Sequence, residues 1–150
     1  MAKEMPAGRE MDKAIGQHIF KYWVDHYDKD YAENCYYCLM DGSGDAVIPG
    51  FYGERKSEEE AWNDCPEFST DIAAAWEVVE RMPIPFKLEK CWEKAYQIGP
   101  EGWSACWCTD ADCEGCNENS RCTNGDDAWA ETAPLAICRC ALKVAGVTEI

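Results

Sequence analysis

Phe68-Ser69-Thr70-Asp71-Ile72-Ala73-Ala74-Ala75-Trp76-Glu77-Val78-Val79-Glu80 is the stretch on which the reading of the fold turns. Ser69 is a good N-cap, and Asp71 falls in the first turn, where the helix dipole favours a carboxylate. Ile72, Ala75, Trp76 and Val79 recur at helical spacing and predict a buried stripe. Pro83 and Pro85 then stop the helix, which is expected over 69–82.

Toward the N-terminus, Met11, Ala14, Ile15, Ile19, Tyr22 and Trp23 predict a helix over 9–25, preceded by Pro6 and Gly8. Residues 25–68 are acidic and punctuated by glycine. Asp41-Gly42 with Gly44 predicts a turn between short strands Cys35–Met40 and Ala46–Ile48, with one helical turn near Glu58–Trp62. Toward the C-terminus, a strand is expected over 84–98, with Phe86, Leu88 and Lys90 alternating with Lys87, Glu89 and Cys91. Gly99-Pro100-Glu101-Gly102 turns the chain, and Trp103, Ala105 and Trp107 give a second strand an aromatic face. Residues 109–128 read as a polar loop or a long-tipped hairpin. A last helix spans 132–145. Thr132 is its N-cap, Pro134 lies in the first turn, and Leu135, Cys138, Ala141, Leu142 and Ala145 are its stripe. Gly146 can end it. The order gives an α+β fold, three helices packed on a small, mainly antiparallel sheet, in one domain over 1–150.

The segment 68–80, the later Thr132-Ala133-Pro134-Leu135-Ala136-Ile137-Cys138-Arg139 with Ala141-Leu142, and the opening Gly8-Arg9-Glu10-Met11-Asp12 resemble the phage ABA sandwich domain family. The resemblance covers the three helices and the strand core. It implies an alpha-beta-alpha layering, a phage or prophage origin and a host-cytoplasmic setting. It implies no known activity, and no catalytic residue can be carried over, because the shared motifs are caps, stripes and helix ends. Cysteine-rich loop insertions at about 28–66 and 108–128 depart from the family pattern.

Composition narrows the function. Lys and Arg total 14 against 29 Asp and Glu, a net charge of -15 that repels phosphate and argues against direct binding of nucleic acid or anionic lipid. The apolar runs fall short of the ~20 residues of a membrane span. Met1–Glu10 lacks the apolar core of a signal peptide.

Eleven cysteines, an odd count with no export signal, predict thiols in a reducing cytosol. Cys106-x-Cys108-x4-Cys113-x2-Cys116-x5-Cys122 is the strongest chemical pattern. Cys35 and Cys38 with a second Cys-x2-Cys pair supply four thiolates for one structural zinc, or Cys108, Cys113, Cys116 and Cys122 close a local site. The competing readings are plain thiols in loops and half-buried strands, or disulfides. The lead-in to Cys35 is poor context for a redox pair. Cys138 reads as a core residue. His18 and His26, on or at the end of the first helix, specify no Cys/His dyad.

Trp76 is core by periodicity, and Trp92 and Trp107 cover strand faces. Trp62 and Trp129 stay open between core and an exposed patch. Three roles compete. The first is a non-enzymatic accessory protein that binds a host or phage protein, steered by its acidic surface. The second is a binder of small molecules such as nucleotide signals, drawing on Arg55-Lys56 or Arg139 and Lys143. The third is a structural zinc protein. No catalytic constellation supports an enzyme. Small size and many aromatics are compatible with self-association.

Overall fold

The computed structural model describes residues 5–28, 35–50, 55–82, 86–91, 102–108 and 125–147. Four helices and five strands lie among them, in an α+β arrangement with two small antiparallel sheets. Helix α1 is Arg9–His18, strand β1 is Trp23–Asp28 and β2 is Cys35–Met40. Helix α2 is Glu58–Trp62 and α3 is Ile72–Arg81. Strands β3 (Phe86–Cys91), β4 (Gly102–Cys108) and β5 (Gly125–Ala130) follow, and helix α4 is Ala133–Val144.

The first helix ends seven residues before the expected Asp25, at His18. Lys21 takes a left-handed backbone, with φ 61°, and the Tyr22 N–H donates to the Gly16 carbonyl at 2.8 Å. Residues 23–28 become a strand, which suits their β-branched and aromatic content. This places His26 in β1, away from any helix end. The turn of the chain is tight at Gly16, where a Cβ would meet Tyr22 at 2.9 Å and the Cys65 sulfur at 3.1 Å.

Strand β2 is found as expected, but its partner is β1, from Trp23 opposite Met40 to Asp28 opposite Cys35. The expected strand Ala46–Ile48 reduces to one bridge, Met40 to Ala46. Asp41 holds the intervening turn. Its Oδ1 accepts from the Ser43 N–H at 2.9 Å, the Ser43 hydroxyl at 2.6 Å and the Asp45 N–H at 3.0 Å. Those bonds, the Ser43 hydroxyl first, hold the Asp41 carboxyl below its ordinary value.

The second sheet runs β3-β4-β5, with Phe86 opposite Trp107 and Trp107 opposite Asp126. Of the two readings of 109–128, the long-tipped hairpin is the one found: β5 pairs antiparallel with β4 and starts at Gly125, opposite Cys108. The expected strand over 84–98 is described from Phe86 to Cys91; its remainder lies outside the described residues. Gly102 is needed at the start of β4, because a Cβ there would lie 2.5 Å from the Trp129 ring.

Helix α4 packs on β4 and β5 and carries α1 and α3 on its other sides. Ala133 to Cys138, Cys140, Ala141 and Leu142 are all buried. A helix apolar over all but one edge, here the one that carries Arg139 and Lys143, belongs in a core. Ala145, expected in the stripe, is the exposed C-cap. Thr132 is the N-cap as expected, without a side-chain bond. Arg139 donates from Nε and one terminal nitrogen to the Met5 carbonyl at 3.2 and 3.1 Å, and from the other to the Trp129 carbonyl at 3.1 Å. One side chain thus joins the N-terminal segment, β5 and α4.

Candidate functional site

Ser69 does not cap α3. The helix begins two residues later, where Asp71 accepts from the Ala73 N–H at 2.8 Å. Ser69 is buried and serves α1 instead. Its N–H and hydroxyl each donate to Asp12 Oδ1 at 2.7 Å, and its oxygen accepts from the Gly8 N–H at 2.9 Å. The Cys65 thiol donates to the Asp12 carbonyl at 3.4 Å, and Arg9 donates to the Cys65 carbonyl at 3.1 Å. Asp12 is thereby buried with donors in place, as a buried carboxylate requires.

Three residues on from Ser69, α3 begins and packs on α4. Ala75 and Val78 face the core, with Val79 and Met82 half-buried beside them. That stripe is 75, 78, 79 and 82. It leaves out two residues of the expected stripe: Ile72 is 51% exposed and Trp76 is 48% exposed. Trp76 is therefore not a core residue. At roughly 100° per residue it lies a quarter-turn round from Ala75, beyond the edge of what α4 covers.

One side of Trp76 is supported. Its ring meets Phe86 edge-on, at 6.1 Å and 78°, and Phe86 lies 4.5 Å from Trp107. Trp107 is fully buried. A ladder of three aromatics thus runs from solvent to the core, and fixes an exposed indole on a rigid base. The periodicity contained these residues but not the choice between two overlapping stripes.

The other tryptophans divide. Trp62 is buried under the Lys13 ammonium, 5.0 Å from its ring centre. Trp129 is half-buried on β5. Trp23 is 45% exposed, with its indole N–H donating to the Asp41 carbonyl at 3.1 Å. Trp92 lies outside the described residues.

Cys38, Cys65, Cys108, Cys138 and Cys140 are buried thiols, and Cys106 is half-buried. Burial pushes the Cys65 thiol up to about 12, with Asp12 adding to the effect and Arg9 opposing it. Burial, and then Asp12, push Cys138 up as well; burial, and then Asp64 and Asp25, do so for Cys38. A protonated thiol is a poor nucleophile and no ligand until it loses its proton. Cys35 and Cys38 are the ends of an extended segment of β2, so their backbones stand about 10 Å apart. A chelating pair is held closer by a turn. Cys113, Cys116 and Cys122 lie outside the described residues. Among the described residues no three of His, Cys, Asp and Glu converge as a metal site would need.

His26 stacks on Tyr37 at 4.6 Å and 13°. His18 is exposed at the end of α1. Of the cations assigned to nucleotide binding, Arg55 makes a fork with Asp64 at 3.0 and 2.7 Å, and Arg139 is bonded to carbonyls as above. Among the described residues no helix is long and apolar enough to cross a membrane.

A family model described as the Phage ABA sandwich domain matches residues 13–142. A 2.0 Å crystal structure of a phage protein from Bacillus cereus ATCC 14579 is similar in fold. It has 21% sequence identity and a TM-score of 0.54, over 100% of this chain and 96% of that one. No curated protein matches the chain.

Proposed function

Because this chain belongs to the Phage ABA sandwich domain family, we propose that it serves a phage or prophage as a non-enzymatic accessory protein that binds a host or phage protein in the host cytoplasm. The observation that carries this reading is the exposed Ile72–Trp76 pair on α3. Large apolar side chains exposed one helical turn apart are unusual, and tryptophan is enriched among residues that dominate binding energy. The ladder to Trp107 lowers the entropy cost of using Trp76 as an anchor. The net charge of -15 adds long-range steering toward a partner of opposite sign.

Retrieval from host and phage-infected lysates tests it. The tagged chain should enrich a defined protein, and Trp76→Ala with Ile72→Ser should lose it while the chain still unfolds in one cooperative transition. Equal retrieval by the variant would remove α3 from the reading.

A structural zinc is a second reading. Its support is the position of Cys108 as the last residue of β4, immediately before the stretch carrying Cys113, Cys116 and Cys122. Metal analysis under reducing conditions tests it. About one zinc per chain with four protected thiols supports a site; no metal with every thiol reactive after unfolding rejects it.

A further inference from the structure

The surroundings of Trp76 narrow the chemistry of what binds there. Beyond Trp76, going round α3 away from the core, come Glu80, Ala73 and Glu77. All three are exposed. Asp71 opens the same helix, and Arg81 is its one cation. The Arg81 guanidinium lies over the Phe20 ring, 5.7 Å from its centre. The ion pairs of the described residues, Arg9–Glu67, Arg55–Asp64 and Lys87–Glu89, involve none of the acids on α3. The apolar anchor is therefore edged by carboxylates that form none of these ion pairs; Arg81, one turn beyond Glu77, is the single cation on the helix.

We propose that the α3 face takes a cationic segment of another protein, one that sets an apolar side chain against Trp76 and Ile72 and Lys or Arg against Glu77 and Glu80. A Lys or Arg stem can lie along the indole while its charge reaches the carboxylates, and the exposed ring face attracts a cation directly. A second copy of this chain meets the opposite condition. It would bring the same carboxylates together, on molecules that each carry a net charge of -15. The inference rests on the reading of α3 as a docking face and adds the sign of the partner.

The test uses the full chain and two labelled synthetic helical peptides with the same leucine pattern, one with lysine and one with glutamate at the polar positions. Binding is read by fluorescence anisotropy at low and high salt. The lysine peptide should bind and the glutamate peptide should not. Trp76→Ala should weaken binding roughly tenfold or more. Glu77→Gln with Glu80→Gln should weaken it about three- to tenfold and flatten its salt dependence. Cooperative unfolding transitions, well above the temperature of the binding measurement, show that both variants fold.

Loss with Trp76→Ala but none with the paired glutamine changes overturns the cationic preference and leaves the docking face standing. Equal affinity for Trp76→Ala overturns both, since the peptide then sits elsewhere. No binding of the lysine peptide overturns the inference alone, and lysate retrieval still decides the docking reading. A dimer in sedimentation that Trp76→Ala dissociates makes a second copy the occupant and overturns the inference.

Discussion

Helices α3 and α4 look alike as sequence. Each has a side chain suited to capping, an alanine-rich apolar stripe and a basic residue in the last turn. The fold treats them differently. Helix α4 lies between the β3-β4-β5 sheet and two other helices, and of its side chains only Lys143 is exposed. Helix α3 packs chiefly on α4 and buries Ala75 and Val78, while its two largest apolar side chains face out. An apolar pattern states what a helix can bury; its neighbours decide what it does bury. The surplus on α3 is where binding energy can be stored without a cost to the core.

The contrast is sharpest in a pair of truncations. Ile137 of α4 is fully buried. Ile137→Ala should destabilise the protein by about 2–5 kcal/mol in denaturant titrations. A value under about 1 kcal/mol would place α4 outside the core and break the comparison.

Next in size is an effect of pH on the thiols buried by α4 and by the lead-in to α3. Burial holds the Cys65 thiol protonated up to about 12, whereas in the unfolded chain it ionises near its ordinary value of about 8.5. The folded value is raised, so its contribution to stability is complete below about 8.5 and drains away as pH climbs toward the folded value. The denaturation midpoint should fall across that window, and fall less in Cys65→Ala. At pH 8, Cys38, Cys65 and Cys138 should resist a thiol reagent until the chain unfolds.

Asp12→Ala tests the joint between α1 and the lead-in to α3. It strips the acceptor from the Ser69 N–H and hydroxyl. A loss of about 1–3 kcal/mol is expected, together with faster hydrogen exchange at residues 69–75. The smallest expected effect on stability belongs to Trp76→Ala, about 0.5–1.5 kcal/mol, the size of its edge contact with Phe86. A cost as large as that of Ile137→Ala would mean that Trp76 is a core residue after all.

Much of the fold was legible in the sequence, for physical reasons that differ by element. The last helix was readable because Thr132, Pro134 and Gly146 bracket one long apolar pattern. The start of α1 was readable from Pro6 and Gly8, but its end was not. Ile15, Ile19 and Tyr22 keep helical spacing across a left-handed Lys21, and nothing local announces that break. Strand β5 was legible only as the hairpin alternative for 109–128, because Asp126 and Asp127 are poor strand formers; pairing with β4 overrides that preference. The candidate site was half legible. Ile72 and Trp76 stand out as large apolar residues, yet their exposure depends on which side of α3 packs on α4, a contact between distant parts of the chain. Cys138 in the core could be read from helical position alone. For the pair Cys35 and Cys38, spacing alone did not show that an extended strand separates them.

The fork from Arg139 to the Met5 carbonyl also has a mechanical meaning. A pull on the N-terminal segment does not begin by peeling α1 from the surface. It first loads Arg139, and through it the middle of α4, the most buried helix described. An unfolding machine that grips this segment would therefore pull on the core helix from its first step, before any element has come away.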